Sequence, residues 1–283
     1  MLKYIYDMKK ILITTDFSAN SKAAIRFAAQ MSQQQNCDLT FFYSCHIVQA
    51  AQDGKKSFSS FENSEMRKFR VKLEKFVDSV YKSMGIVPSK VHFAVSNSFI
   101  TDSNIMKYAE DHKFDFICIS RSGVGNAKKL FGTNTSNLIM HSKVPVLAIP
   151  SNYRRRKISQ VTYASDLANL DSEIKAVLNF SKPLGAKAQL LHFNYPSDQQ
   201  HVSNAIKKAL SGYEKEHVTY KLKNIDISMN LVENMQTEIA KNKPSILVMF
   251  TNQHQSFFER LFLSSSTADY SMKSSVPLLV FRK

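Results

Sequence analysis

The chain is poor in the residues that mark secretion, metal binding and covalent catalysis. Only three cysteines occur in 283 residues, Cys37, Cys45 and Cys118. Their number is odd and no CxxC spacing exists, so reduced, buried thiols are expected rather than a disulfide framework. No HExxH motif or Cys/His pair offers metal-ligand spacing, and no metal site is predicted. No stretch approaches the ~20 continuous apolar residues of a membrane span. The opening "MLKYIYDMKKILITTD" holds a short apolar run ending in Asp16, which is not a signal-peptide layout. These absences predict a soluble, cytoplasmic protein without membrane contact. No G-x-S-x-G elbow or other nucleophile motif appears. Ser18 begins a helix by its sequence context, where a capping role is expected. His46, His92 and His192 lie in or beside strands and read as structural.

What the chain has in excess is positive charge, a formal +15. Such a balance raises nucleic acid as a partner. The distribution argues otherwise. Residues 1–150 carry 20 basic and 12 acidic side chains (+8), and residues 151–283 carry 18 and 11 (+7). The charge is spread evenly, without a basic tail, and the one dense run is "RRRK", Arg154 to Lys157. No helix-turn-helix or aromatic RNA-binding motif accompanies it, so no specific nucleic-acid partner is predicted.

The length suggests about two domains at roughly 100–200 residues each, and the chain is written twice. "KKILITTDFSANSKAAIRFAAQMS" matches "SQVTYASDLANLDSEIKAVLNFS": each is a short apolar strand ending in Asp (Asp16, Asp166), then an amphipathic helix. "DLTFFYS" matches "AQLLHFN", "KFDFICISRS" matches "KPSILVMFTN", and "KVPVLAIP" matches "SVPLLVFR". Four matched strands in one order predict two copies of one domain, residues 1–152 and 153–283. In the first copy the pattern predicts strands near 10–15, 38–45, 89–95, 114–120 and 144–149, and helices near 20–35, 61–84, 99–112 and 134–142. The second predicts strands near 159–164, 186–193, 218–226, 245–251 and 277–281. Ala24, Phe27, Ala28 and Met31 fall on one helical face. In the long second helix Phe69, Leu73, Phe76, Val77, Val80 and Met84 do the same, and Arg67, Lys68, Arg70, Lys72 and Lys75 form a basic outer face, the best candidate for an acidic partner. The strands are apolar on both faces, as a helix-covered parallel sheet requires. The fold class is therefore α/β: two tandem doubly wound domains, each a five-stranded parallel sheet flanked by helices.

In such sheets ligands bind beyond the carboxyl ends of the strands, where the strand order reverses. The segment "ISRSGVGNAKKLFGTNTS", Ile119 to Ser136, leads from an apolar strand through glycines into a helix, the usual place to hold a phosphate. "ILITTDFSANSKAAIRFAAQMS" and "FDFICISRSG…FGTNTSNLIMHSKVPVLAIP", with their second-copy counterparts, resemble the universal stress protein family over nearly the whole chain. The resemblance implies a nucleotide motif G-x2-G-x9-G-[ST]. Its glycines admit positive φ and close backbone approach. Its hydroxyl residue and the free N–H groups of the next helix receive the phosphates.

Here the best match is Ser120-x2-Gly123-x8-Gly132-Thr133: a serine replaces the first glycine and the last interval is one residue short. Thr133 and Thr135 match the hydroxyl positions, and Asp16 matches the acidic residue facing the adenosine end. The resemblance thus implies ATP or AMP on Asp16, Ser120, Gly123, Gly132, Thr133 and Thr135, with Mg only if carried by the nucleotide. The alternative is a loop that merely caps a helix, with Thr133 or Asn134 as N-cap. The Gly-x-Pro that the family carries after its third strand is replaced by "VSNSF", Val95 to Phe99. The second loop, "FTNQHQSFFERLFLSSSTADYS", has no glycine, with Phe250 at the first glycine's place and Ser264 at the last's; no nucleotide is expected there. Phe257, Phe258, Leu261 and Phe262 within it read as a helical turn packed on the core or a partner.

The family also implies pairing through the last strands, which a tandem chain makes within itself, and leaves open a homodimer or a protein partner. The function expected is a stress-response protein binding an adenine nucleotide in its first domain. The alternative is an interaction scaffold with no small ligand. Catalysis has no residue set behind it, and the resemblance implies at most slow ATP hydrolysis without a dedicated base.

Overall fold

The computed structural model describes residues 9–48, 58–88, 90–121, 133–194, 199–216, 218–251 and 275–282. The described residues group into two compact units, one running through Arg155 and the other beginning at Arg156.

The first unit holds strands β1 (Lys9–Thr14), β2 (Cys37–Cys45), β3 (Val91–Asn97), β4 (Phe116–Arg121) and β5 (Val146–Pro150), and helices α1 (Lys22–Ser32), α2 (Phe58–Met84), α3 (Thr101–Asp111) and α4 (Thr133–His141). The strands lie in the order β3-β2-β1-β4-β5, and every pairing is parallel. The chain moves outward from β1 to β3, then crosses back to β4, so the order reverses between β1 and β4.

Neighbouring residues of β2 show how both faces are covered. Successive side chains on a strand point to opposite faces. Phe41 meets Tyr81 of α2 (ring centroids 6.2 Å apart), whereas Phe42 meets Tyr108 of α3 (4.6 Å). Both phenylalanines are fully buried, as are Ile11, Leu12 and Ile13 of the central strand. The predicted apolar face of α1 is buried at all four positions, Ala24, Phe27, Ala28 and Met31.

Helix α2 departs from its predicted face. It buries Leu73, Val77, Val80 and Tyr81, all in its C-terminal half, while Phe69, Phe76 and Met84 stay part-exposed. Helices of this fold run antiparallel to the strands, so the first half of α2 stands at the carboxyl end of the sheet, beyond the deepest part of the core. α1 also begins later than its sequence suggests. Ser18 lies in the turn before the helix, its Oγ accepting from Ser21 N–H (3.2 Å), and Lys22 is the first helical residue. The three cysteines are free and buried. Burial raises the Cys37 thiol to about 11 and pushes Cys118 up as well, so both stay protonated and inert at neutral pH.

The second unit repeats the plan with β6 (Gln160–Ala164), α5 (Leu170–Ser181), β7 (Lys187–Asn194), α6 (Gln199–Leu210), β8 (Val218–Asn224), α7 (Leu231–Asn242), β9 (Ile246–Thr251) and β10 (Leu278–Arg282). Its strands pair in parallel, β6 between β7 and β9, β8 beyond β7 and β10 beyond β9. The repetition reaches single hydrogen bonds. Thr15 N–H donates to Phe42 O (3.1 Å), and Ser165 N–H to Leu191 O (3.0 Å). Asp115 N–H donates to Lys10 O, and Ser245 N–H to Gln160 O, both at 2.9 Å. Among the described residues no helix is long and apolar enough to cross a membrane.

Candidate nucleotide cleft

The first unit carries a cleft of about 530 Å³ at the carboxyl ends of β1 and β4, where the strand order reverses. Six segments build it. Thr14, Thr15 and Asp16 close β1, Ser18, Asn20 and Ser21 lead into α1, and Phe42, Tyr43 and Ser44 come from the end of β2. Thr101 and Ile105 come from α3, Ile119 and Ser120 from β4, and Thr133 to Thr135 form the first turn of α4.

Of the six residues predicted from sequence, four meet here: Asp16, Ser120, Thr133 and Thr135. Gly123 and Gly132 lie outside the described residues. Sequence reasoning missed Tyr43, Ser44 and Thr101, which come from other elements and belong to no local motif.

The turn after β1 is held by its own side chains. Thr15 Oγ1 accepts from Phe17 N–H (3.1 Å) and Asp16 Oδ1 from Ser18 N–H (2.9 Å). Ser21 Oγ bonds both Thr15 Oγ1 (2.7 Å) and Ser18 O (2.8 Å). Partial burial pushes the Asp16 carboxyl up, but the hydrogen bonds from Ser18, its own backbone and Ser21 prevail and hold it below the ordinary Asp range. The cleft therefore contains a carboxylate at neutral pH.

Phe17 sits at φ 64°, the left-handed region that a bulky residue rarely enters. The second unit repeats this turn: Leu167 has φ 66°, its N–H donates to Ser165 Oγ (3.0 Å), and Ala168 N–H to Asp166 Oδ1 (3.0 Å). Strain of order 1–3 kcal/mol is thus kept in both copies.

Ser120, in the place of the first glycine, uses its Oγ to accept from Ala24 N–H at 2.8 Å. Ala24 is in the first turn of α1, whose N–H groups have no partner within the helix. The serine satisfies one of them, and the first turn of α4 (Thr133 to Thr135) also lines the cleft. Arg121 follows it, buried, with its pKa lowered by burial to about 10 and its charge retained at neutral pH.

Beneath the rim lies a polar network. Asn104 Nδ2 donates to Ser44 Oγ (2.8 Å), Ser96 Oγ bonds Asn104 Oδ1 (3.1 Å), and Asn137 Nδ2 bonds Asp102 Oδ2. Where the Gly-x-Pro would stand, Asn97 ties two elements together, accepting from Ile47 N–H (2.8 Å) and donating to Glu62 Oε1 (2.7 Å).

A family model described as the universal stress protein family matches residues 8–150. The chain belongs to the universal stress protein family. It is similar in fold to a universal stress protein from Archaeoglobus fulgidus, with 17% identity and a TM-score of 0.71 over 98% of this chain and 99% of that one. It is similar also to a protein from Pseudomonas aeruginosa, with 11% identity and a TM-score of 0.56 over 98% of this chain and 93% of the other. No curated protein gives a significant match in sequence. At these identities the likeness speaks for the fold, and what the universal stress domain does here rests on its own residues.

Among the described residues, the matching strand ends of the second copy carry different side chains. Phe250 replaces Ser120 at the end of β9, stacks on Phe281 (5.0 Å) and meets Tyr163 edge-on (5.4 Å). Ser165 is engaged by Tyr163 OH (2.7 Å) and Glu173 (3.4 Å). Aromatic rings thus occupy the level at which the first copy presents a hydroxyl. The rest of the second loop, including Phe257, Phe258, Leu261, Phe262 and Ser264, lies outside the described residues. Among the described residues no cluster of His, Cys, Asp and Glu could hold a metal ion.

Proposed function

We propose that this protein is a cytoplasmic stress-response module that binds an adenine nucleotide, ATP or AMP, in its first domain (residues 1–152), while the second (153–283) binds none. The observation that carries this reading is the convergence of Asp16, Ser120, Thr133 and Thr135 on one cleft at the switch point of the sheet. Asp16 faces the ribose hydroxyls. Thr133, Thr135 and the backbone donors of α4 receive phosphate, as helix N-termini do.

The test is to denature purified protein and examine the supernatant for released nucleotide by ion-exchange chromatography, followed by titration of the stripped protein with ATP and AMP. Bound or titratable adenine nucleotide is expected. A protein that releases none and binds none would be an interaction scaffold instead.

The repeat and the pairing habit of the family further support an arrangement in which the two halves pair through their last strands. Residues 1–152 expressed alone should then self-associate in sedimentation velocity. A monomer with an unchanged melting temperature would remove that part of the proposal.

A further inference from the structure

Beside the cleft stands a set of aromatic rings that the fold does not need as core. Tyr43 lies 4.5 Å from Phe17 and 5.2 Å from Phe69, and Phe17 lies 5.6 Å from Phe76 (ring centroids). None of the four is buried. The contrast is with the cluster on the same face, where Phe41 and Tyr81 lose nearly all solvent contact. Rings packed only to fill a core would be covered in the same way.

The set is also held in place. Phe17 takes its left-handed φ directly after Asp16, and its ring packs against Tyr43. Lys72 Nζ lies 4.4 Å from the centroid of the Phe17 ring, within cation–π range. Tyr43 and Asp16 both line the cleft. The Tyr43 ring therefore stands at the cleft beside a carboxylate.

The second copy serves as an internal control. Register aligns Thr14 with Phe42 and Ala164 with Leu191, so His192 matches Tyr43 and Leu167 matches Phe17. The copy whose strand end carries Phe250 thus has an imidazole in place of the phenol and an aliphatic side chain in place of the Phe17 ring.

We propose that Tyr43, backed by Phe17 and Phe69, is the stacking platform that selects a ligand with a planar heteroaromatic base. This rests on the nucleotide reading above and adds which residue distinguishes a nucleotide from a sugar phosphate. A base stacked on an aromatic side chain is worth about 1–3 kcal/mol, which is roughly 5- to 150-fold in affinity.

The experiment compares AMP with ribose 5-phosphate by calorimetry on the full chain, in wild type, Tyr43→Phe and Tyr43→Leu, with thermal melts to verify folding. AMP affinity is expected to stay within about threefold in Tyr43→Phe, which keeps the ring, and to fall at least about fivefold in Tyr43→Leu. Ribose 5-phosphate binding should be unchanged in both. If Tyr43→Leu binds AMP as wild type does, or if both ligands weaken together, the platform is overturned while nucleotide binding stands. If wild type binds no AMP, the nucleotide reading fails and the platform with it. Should Tyr43→Leu not fold, Tyr43→Val, which also lacks a ring, replaces it under the same criteria.

Discussion

At the scale of single residues, charge is held where hydrogen bonds outweigh desolvation. The Asp16 carboxylate accepts Ser18 N–H across a turn that an asparagine also forms readily. Asp16→Asn should therefore change stability by no more than about 0.5 kcal/mol. On the proposed nucleotide reading it removes the charge facing the ribose hydroxyls, and hydrogen bonds to charged groups are worth about 1.5–3 kcal/mol, so AMP affinity measured by calorimetry should fall about tenfold or more. Unchanged affinity with a lowered melting temperature would make the carboxylate structural. In the second unit Glu238 is nearly buried and pairs with Lys221 and with Lys223 (3.5 Å), while Asn242 Nδ2 donates to it at 2.6 Å. Burial pushes its carboxyl up, but the bonds from Lys221 and Asn242 and the two lysine charges bring the net below the ordinary Glu value of 4.5. A carboxyl whose pKa is lower folded than unfolded contributes stability above the unfolded value and loses it as pH falls through the folded one. Unfolding midpoints in urea should decline below pH 4.5, and Glu238→Gln should flatten that decline; equal slopes in the two proteins would refute the assignment.

At the scale of elements, helix starts show what local sequence can specify. Helix α7 opens with a complete capping box: Asn230 Oδ1 accepts from Glu233 N–H (3.0 Å) and Glu233 Oε2 from Asn230 N–H (2.8 Å). Asn230→Ala should cost about 0.5–2 kcal/mol, read as a lower urea midpoint with unchanged slope, and Asn230→Asp should restore most of it. A cost near zero for Asn230→Ala would mean that tertiary packing alone sets the start of α7. The strands were legible for a different reason. A parallel sheet covered on both sides needs continuous apolar runs, and these bracket β1, β4 and β9 within about two residues. The site was half legible. Asp16, Ser120, Thr133 and Thr135 sit in or beside a loop motif, whereas Tyr43, Ser44 and Thr101 reach the cleft through strand register and helix packing, which no local pattern records. The positive φ of Phe17 was hidden for the same reason, since local sequence rules place Gly or Asn in that region. On α2 the expected face is buried at Leu73, Val77 and Val80 but not at Phe69, because periodicity reports the side of a helix and not where along its length the core ends.

At the scale of the whole molecule the question is what a net charge of +15 does. A polyanion site needs uncompensated cations close together, because each phosphate contact releases counterions and steepens the salt dependence. The basic face of α2 is partly balanced by its own carboxylates. Lys68 pairs with Glu65 (2.6 Å), Arg70 with Glu74 (3.2 Å) and Lys82 with Asp78 (2.8 Å), while Lys72 is turned onto the Phe17 ring. In the run Arg154 to Lys157, Arg155 is held by Gln30 Oε1 (2.9 Å) and Arg156 by Pro244 O (2.7 Å), neutral acceptors that fix the side chains in place without cancelling their charge. With the remaining charge divided almost evenly between the two halves, few phosphates can be neutralised by any one surface. Binding to duplex DNA should therefore be weak, indifferent to sequence and lost near physiological salt. Fluorescence anisotropy with two labelled duplexes of unrelated sequence, titrated at low and at about 150 mM ionic strength, measures this directly. A complex that survives at the higher salt, or that prefers one duplex, would mean that the charge serves a nucleic-acid surface and that the stress-module reading is wrong.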